Sequence, residues 1–177
     1  MIGLVSAAAL LLAAAGLAKL RQRRPVRSAL AAAGIPGARR LSPAVANRLS
    51  GAAELAVGML ALLLGGRVAG VLIAGAFAVL AGLSARMMMI ESGQDCGCFA
   101  KPVAVSHWHT GVNLGCALAG LLAVLWPPDS LLTEFGRQPV TAAALLLGAA
   151  VLGYLGYLLM TALVELSTAS ARLAAPR

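Results

Sequence analysis

The chain has 177 residues, of which 60% are hydrophobic and 11% charged, and its formal net charge is +8 at pH 7. A water-soluble domain needs about a quarter of its residues charged to cover its surface, so this composition excludes an ordinary soluble protein and indicates one embedded in lipid. No part of the sequence alternates at the period of two that a membrane β-barrel requires. The predicted fold is therefore all-α, a polytopic transmembrane helical bundle.

Five apolar runs predict five membrane-spanning helices, at residues 2–18, 49–64, 68–90, 108–126 and 140–166. Each is near the roughly 20 residues that cross about 30 Å of hydrocarbon. We interpret residues 1–177 as one integral membrane domain, with a four-helix core and a fifth, C-terminal span. Trp108 and Trp126 are 18 positions apart, about 27 Å along a helix, so we expect one at each membrane interface, with Ser106 as the N-cap.

The basic residues are concentrated between the first two spans, in a basic interfacial loop at residues 19–48. Such a loop is typical of the cytoplasmic side of the plasma membrane, where it contacts lipid headgroups; residues 27–38 resemble a short interfacial helix within it. Counting by parity puts twelve basic residues on that face and two on the other. The segment 91–106 then lies inside and the N-terminus outside. Because no aromatic residues interleave the charges, we expect no nucleic-acid partner.

The only closely spaced cysteines stand in the sequence DCGCFA, within the loop at residues 91–106. Burial gives no reason for two thiols in a polar loop, and Gly97 lets the backbone bend so that the two sulfurs can meet. A disulfide in so small a ring departs from relaxed geometry and is easily reduced, which is typical of labile or catalytic disulfides. The motif therefore favours Cys96 and Cys98 as a redox pair, and leaves open whether the chain is an enzyme, a thiol–disulfide oxidoreductase.

Two histidines follow the cysteine pair, giving the pattern C-x-C-x8-H-x-H. In the redox interpretation His107 or His109 assists proton transfer. In the alternative interpretation, Cys96, Cys98, His107 and His109 supply two thiolates and two imidazoles to a tetrahedral metal site.

A polar stripe is predicted along the fourth span, because His109, Asn113 and Cys116 are spaced i, i+4 and i+7 and share a helix face. The stripe is either a path for protons or electrons or a packing surface. The GxxxG pattern at residues 111–115 independently favours packing of this helix against another.

Glu54 lies inside the second span, six residues beyond Arg48. A carboxylate at that depth is costly unless it faces protein or water. Because this end of the span is on the same membrane face as the C-x-C loop, we expect Glu54 to line the same pocket as that loop. Two roles stay open for it, a catalytic proton acceptor and an ion-pair partner of Lys19 or an arginine.

Several of these features together resemble the methylamine utilisation protein MauE family, which is related to DoxX-like membrane proteins. The resemblance runs from about Leu4 to Leu125 and rests on AGLAKL at the end of the first span, Glu54-Leu55 in the second, and CGCF before the fourth. CGCF is its most specific element. The family usually continues with glycine where this chain has Ala100.

The resemblance implies a multi-pass membrane protein that handles thiols and disulfides. MauE is associated with maturation of the methylamine dehydrogenase small subunit outside the cytoplasmic membrane, beside a thioredoxin-like protein. By the same resemblance Cys96 and Cys98 are the redox pair, and a thioredoxin-fold protein or disulfide-containing client is the partner. It favours the exoplasmic face for the pair, whereas the charge count favours the cytoplasmic one.

Other interpretations stay open at this point. No cofactor motif is evident, and a quinone remains open as a cofactor. The chain also fits a non-catalytic assembly subunit whose small-residue helices hold another membrane protein.

Overall fold

The computed structural model describes residues 2–22, 42–90 and 105–174, and throughout these ranges the regular structure is helical. The helices are α1 (Ile2–Arg21), α2 (Pro43–Leu64), α3 (Gly66–Ile90), α4 (His107–Leu125), α5 (Leu131–Arg137) and α6 (Pro139–Ala174). All except the short α5 contain a stretch long and apolar enough to cross a membrane. The prediction of an all-α polytopic bundle with five spans is confirmed.

Two helix starts follow from capping chemistry. The Ser42 side chain accepts a hydrogen bond from the backbone N–H of Val45, and Pro43 occupies the first helical position, where its missing N–H is not needed. As a result α2 begins six residues before the predicted start of the second span at residue 49. Ser106 is the N-cap of α4, as the sequence indicated.

α1 and α2 form an antiparallel pair that packs through glycine. A methyl group added at Gly16 would lie 2.5 Å from the carbonyl oxygen of Gly51, and one added at Gly58 would lie 2.7 Å from the carbonyl oxygen of Ala9. These distances leave no room for a side chain, so the two backbones meet almost directly. Such close approach is how membrane helices gain packing energy when lipid removes the hydrophobic drive between them.

α3 and α4 form a second antiparallel pair with the same chemistry. A methyl group added at Gly120 would lie 2.5 Å from the backbone nitrogen of Ala74 and 2.8 Å from the carbonyl oxygen of Gly70. By contrast, a methyl group at Gly111 or Gly115 would have no atom of the described residues within 4 Å. Within the described residues, therefore, the GxxxG pattern does not pack against another helix, and Gly120 lies at the crossing with α3 instead.

A tight turn at Gly65 joins the two pairs. Gly65 has a φ of +62°, and a methyl group there would lie 2.5 Å from Cα of Ser130. The N–H of Gly66 donates a hydrogen bond of 2.8 Å to the carbonyl of Pro128, so the segment after α4 holds this turn. Because α2 packs chiefly on α1 and α3 chiefly on α4, α2 and α3 diverge from the turn and leave a groove between them.

The remaining span, α6, packs mainly on α1 and also contacts α4 and α5. The buried core at the centre of the bundle includes Leu12, Ile73 and Phe77. Many leucines and valines on the outer faces are exposed, which indicates a lipid bilayer as their surroundings.

The antiparallel order defines two faces. α1 and α3 end, and α2 and α4 begin, at a face that we call the basic face, since Lys19, Arg21, Arg48 and Arg86 lie near it. The opposite face, which we call the turn face, carries the Gly65 turn and α5.

Candidate functional site

The predicted redox pair lies outside the described residues. Cys96 and Cys98 belong to residues 91–104, and the described chain stops at Ile90 and resumes at Val105, on the basic face. Their role and geometry therefore stay predictions, as does the interfacial helix at residues 27–38.

Glu54 forms a buried ion pair with Lys19. The Lys19 Nζ lies 2.5 Å from Oε1 of Glu54, and the two side chains are only 7% and 11% exposed. Gly51, one turn before Glu54, makes the pair possible, because a methyl group there would lie 2.9 Å from Cβ of Lys19. The pair with Lys19 is one of the two roles that the sequence left open, and the role of proton acceptor stays a prediction.

The second carboxylate oxygen of Glu54 is the unusual feature of this pair. Oε2 is buried and accepts no hydrogen bond from any described residue. The residue Glu54 also lines a small chamber of about 20 Å³, together with Lys19 and Asn113. Burying an acceptor without a hydrogen-bond donor costs free energy, because its bonds to water are lost and not replaced. A donor to Oε2 is therefore expected.

Asn113 links the chamber to α3. Its Nδ2 donates a hydrogen bond of 3.4 Å to Oγ of Ser84, whose hydroxyl donates one of 2.8 Å to the carbonyl of Leu80. Sequence reasoning missed Ser84. Its signal was available, since it is one of the few polar residues inside the apolar run at 68–90.

His109 and Asn113 both face the interior, as the predicted stripe requires, and both are buried. Nδ1 of His109 accepts a hydrogen bond of 3.3 Å from the N–H of Ser106 and lies 3.1 Å from its hydroxyl oxygen, so the neutral ring carries its proton on Nε2. Cys116, the third member, is only half-buried and lines an apolar groove shared with α1 and α6.

The two histidines differ in their surroundings. His107 is exposed in the first turn of α4, beside the exposed Trp108, whereas His109 is buried. Within the described ranges no group of three or more histidine, cysteine, aspartate or glutamate side chains is arranged to hold a metal ion. Since two of the four ligands of the alternative metal site lie outside those ranges, that site stays a prediction.

The groove between α2 and α3 has Glu54 among its lining residues. It has a volume of about 430 Å³, and its walls include Ser50, Glu54 and Val57 on α2 and Val71 and Gly75 on α3. Apart from Ser50 and Glu54 its lining side chains are apolar. The sequence did not indicate this groove, because it arises from the divergence of α2 and α3.

Comparison with known protein families identifies a relationship. The family model for the methylamine utilisation protein MauE matches residues 2–127, more than two thirds of the chain, and this region includes α1 to α4 and the C-x-C segment. Neither the curated proteins nor the solved structures gave a match.

Proposed function

The chain belongs to the methylamine utilisation protein MauE family, and from this premise we propose that it is a membrane-embedded thiol–disulfide exchange protein with Cys96 and Cys98 as its redox pair. The observation that carries the proposal is that the family match covers the C-x-C motif together with the helices before and after it. No other pair of cysteines in the chain is close in sequence.

The exchange proceeds through a mixed disulfide. The thiolate of Cys96 attacks one sulfur of the partner's disulfide, a bond forms between the two proteins, and the partner's other sulfur leaves as a thiolate. The thiolate of Cys98 then attacks Cys96, which releases the partner. The partner gains two electrons and two protons as a dithiol, the Cys96–Cys98 pair loses the same number, and the reverse reaction uses the same steps.

The position of His107 at the start of α4 supports a role for it in this chemistry. His107 is exposed on the basic face, in the first turn after the segment that carries the cysteines. An exposed imidazole in that position can take the proton of a thiol and return it. The buried His109 bonds to Ser106, and we assign it the task of holding the start of α4.

The partner that fits this chemistry is a thioredoxin-fold protein at the plasma membrane, or a client whose disulfides form outside the cytoplasm. The family name points to methylamine utilisation, so the methylamine dehydrogenase small subunit is the first client to test.

Single cysteine variants test the proposal. Cys98→Ser should leave Cys96 unable to resolve a mixed disulfide, so a covalent adduct should appear on a non-reducing gel and vanish on reduction; if Cys98 is the attacking residue, Cys96→Ser gives the adduct instead. Cys116→Ser is the matched control and should give none. The absence of an adduct from both single variants, or full function in both, contradicts the proposal and favours a non-catalytic assembly subunit.

A further inference from the structure

The groove between α2 and α3 opens to the outside of the bundle. Val71 and Val79 on its α3 wall are exposed, and a methyl group at Gly75 would meet no described atom within 4 Å. Because most of its lining is apolar, its occupant within the membrane is hydrocarbon, which comes either from a lipid or from another helix.

The volume of the groove distinguishes these two occupants. The groove holds about 430 Å³. A helix about 10 Å wide needs several times that volume to lie along the same length of α3. An acyl chain is a single file of carbon atoms and fits lengthwise. The volume therefore favours a lipid chain over a helix of another protein or of a second copy.

An arginine stands where the groove approaches the basic face. Val79 and Leu83 line the groove, and Arg86 continues their face of α3, since the three residues are spaced i, i+4 and i+7. Arg86 is exposed and lies about 4.5 Å beyond Leu83 along the helix. Among the described residues, none forms an ion pair or a hydrogen bond with its guanidinium. The charge of Arg86 is therefore available to an anion outside the bundle.

The length of the groove matches the depth of a lipid. Arg86 lies fifteen residues beyond Val71, which is about 22 Å along α3. One leaflet contributes about 15 Å, half of the hydrocarbon core. A lipid of the leaflet at the basic face can therefore place its phosphate beside Arg86 and lay an acyl chain along the groove for the whole depth of that leaflet.

The carboxylate of Glu54 does not oppose an anionic headgroup at Arg86. It is paired with Lys19. Glu54 lies eleven residues before the Gly65 turn and Arg86 lies twenty-one after it, so in this antiparallel pair their levels differ by ten residues, or about 15 Å. At that distance a paired carboxylate repels the headgroup little.

We propose that the α2–α3 groove binds one anionic phospholipid from the leaflet at the basic face, with an acyl chain along the apolar walls and the headgroup on Arg86. A guanidinium donates two parallel hydrogen bonds to a phosphate, which suits arginine to this contact. α2 begins at the same face, and its N-terminal dipole adds positive potential there. This binding site goes beyond the proposed function and involves neither Cys96 nor Cys98.

Native mass spectrometry of the full chain, purified free of lipid, tests the headgroup. Phosphatidylglycerol and phosphatidylcholine with identical acyl chains are titrated separately. The first phosphatidylglycerol should bind at least about fivefold more tightly than the first phosphatidylcholine, and Arg86→Gln should lower the affinity for phosphatidylglycerol by about fivefold. Equal affinity of the native chain for the two lipids, or an unchanged affinity in Arg86→Gln, overturns the proposal.

Arg48→Gln is the matched control for Arg86→Gln. It removes the same charge from an exposed position near the same face, but Arg48 lies about 160° around α2 from the groove residue Ser50. Its affinity for phosphatidylglycerol should match that of the native chain. An equal loss in the two variants overturns the site, since the net charge of the basic face, and not the groove, then holds the lipid.

A second pair of variants tests the location of the acyl chain. Gly75→Leu fills the groove, whereas Gly148→Leu makes the same change on α6, where an added methyl group also meets no described atom within 4 Å. Binding of the first phosphatidylglycerol should be lost in the former and unchanged in the latter. Unchanged binding in Gly75→Leu overturns the site. The same titration on a Cys96→Ser/Cys98→Ser double variant should match the native protein, which separates this result from that of the mixed-disulfide trap.

Discussion

Lys19 and Glu54 form an ion pair inside the bundle, with Nζ of one lying 2.5 Å from Oε1 of the other. They stand on different helices, α1 and α2, beside the crossing where Gly16 and Gly51 bring the two backbones together. The small residues therefore do more than pack these helices, since they also bring together two charges that the membrane would otherwise exclude.

Removing one partner of this pair should be far more damaging than removing both. Lys19→Met or Glu54→Leu alone leaves a buried charge without its partner, so each should lower the free energy of unfolding by about 3–5 kcal/mol. The double variant should recover most of that loss. The measurement is denaturation in mixed micelles followed by circular dichroism.

The exposed pair on the turn face supplies the control for that experiment. Arg137 Nη1 lies 3.1 Å from Oδ2 of Asp129, and both side chains are exposed. Arg137→Met should therefore change the free energy of unfolding by less than about 1 kcal/mol. If the losses from Lys19→Met and Glu54→Leu simply add in the double variant, the two residues are not coupled and the buried pair is not formed in the protein.

Helix crossings give a second prediction. Gly120→Ala introduces a methyl group 2.5 Å from the backbone of Ala74, so α3 and α4 must separate, and we expect a loss of about 1–3 kcal/mol. Gly111→Ala on the same helix has open space around it and should be neutral or slightly stabilising. Helix propensity alone would make both variants slightly more stable, so an equal loss or an equal gain in the two would show that the crossing at Gly120 does not set the effect.

The contrast between Gly120 and Gly111 shows which features of the fold could be predicted from the sequence and which could not. Hydrophobic length predicted all five spans, because crossing the bilayer sets a minimum number of apolar residues that can be counted along the chain. The face of α4 that meets α3 could not be predicted in this way. A helix this rich in small residues offers several glycine spacings, and the choice among them depends on the partner helix.

The helix bounds and the site residues show the same limit on what the sequence can predict. The Ser42-Pro43 capping signal was present, but a search for apolar runs places the start of the span where the charges end. The sequence analysis missed α5, because a helix of only seven residues has too few turns for its hydrophobic periodicity to be recognised. Lys19 could be proposed as a partner of Glu54 from the depth of Glu54 in its span, whereas Ser84 and the α2–α3 groove depend on how the helices pack against one another.

The interhelical contact between Asn113 and Ser84 gives a third prediction. The bond is 3.4 Å long and buried, and hydrogen bonds of this kind between membrane helices contribute about 0.6 kcal/mol on average. A double-mutant cycle with Asn113→Leu and Ser84→Ala should therefore give a coupling energy of about 0.5–1.5 kcal/mol in the free energy of unfolding. A coupling of zero would mean that Asn113 serves another partner, such as one in the chamber beside Lys19.

The distribution of basic residues predicts which face of the membrane carries the proposed redox pair. Lys19, Arg21, Arg48 and Arg86 lie near the basic face, and in the described ranges only Arg67 and Arg137 are basic at the turn face. By the positive-inside rule we expect the basic face, where α3 ends and α4 begins, to be the cytoplasmic one.

Single cysteines at two exposed positions test this orientation, in a background with Cys96, Cys98 and Cys116 changed to serine. In intact cells a membrane-impermeant maleimide should label Gln138→Cys, at the turn face, and should leave Arg48→Cys unlabelled until the cells are permeabilised. The reverse pattern would put the basic face outside. The redox pair would then stand where disulfides form and persist, and the charge of the basic loop would no longer explain the orientation of the chain.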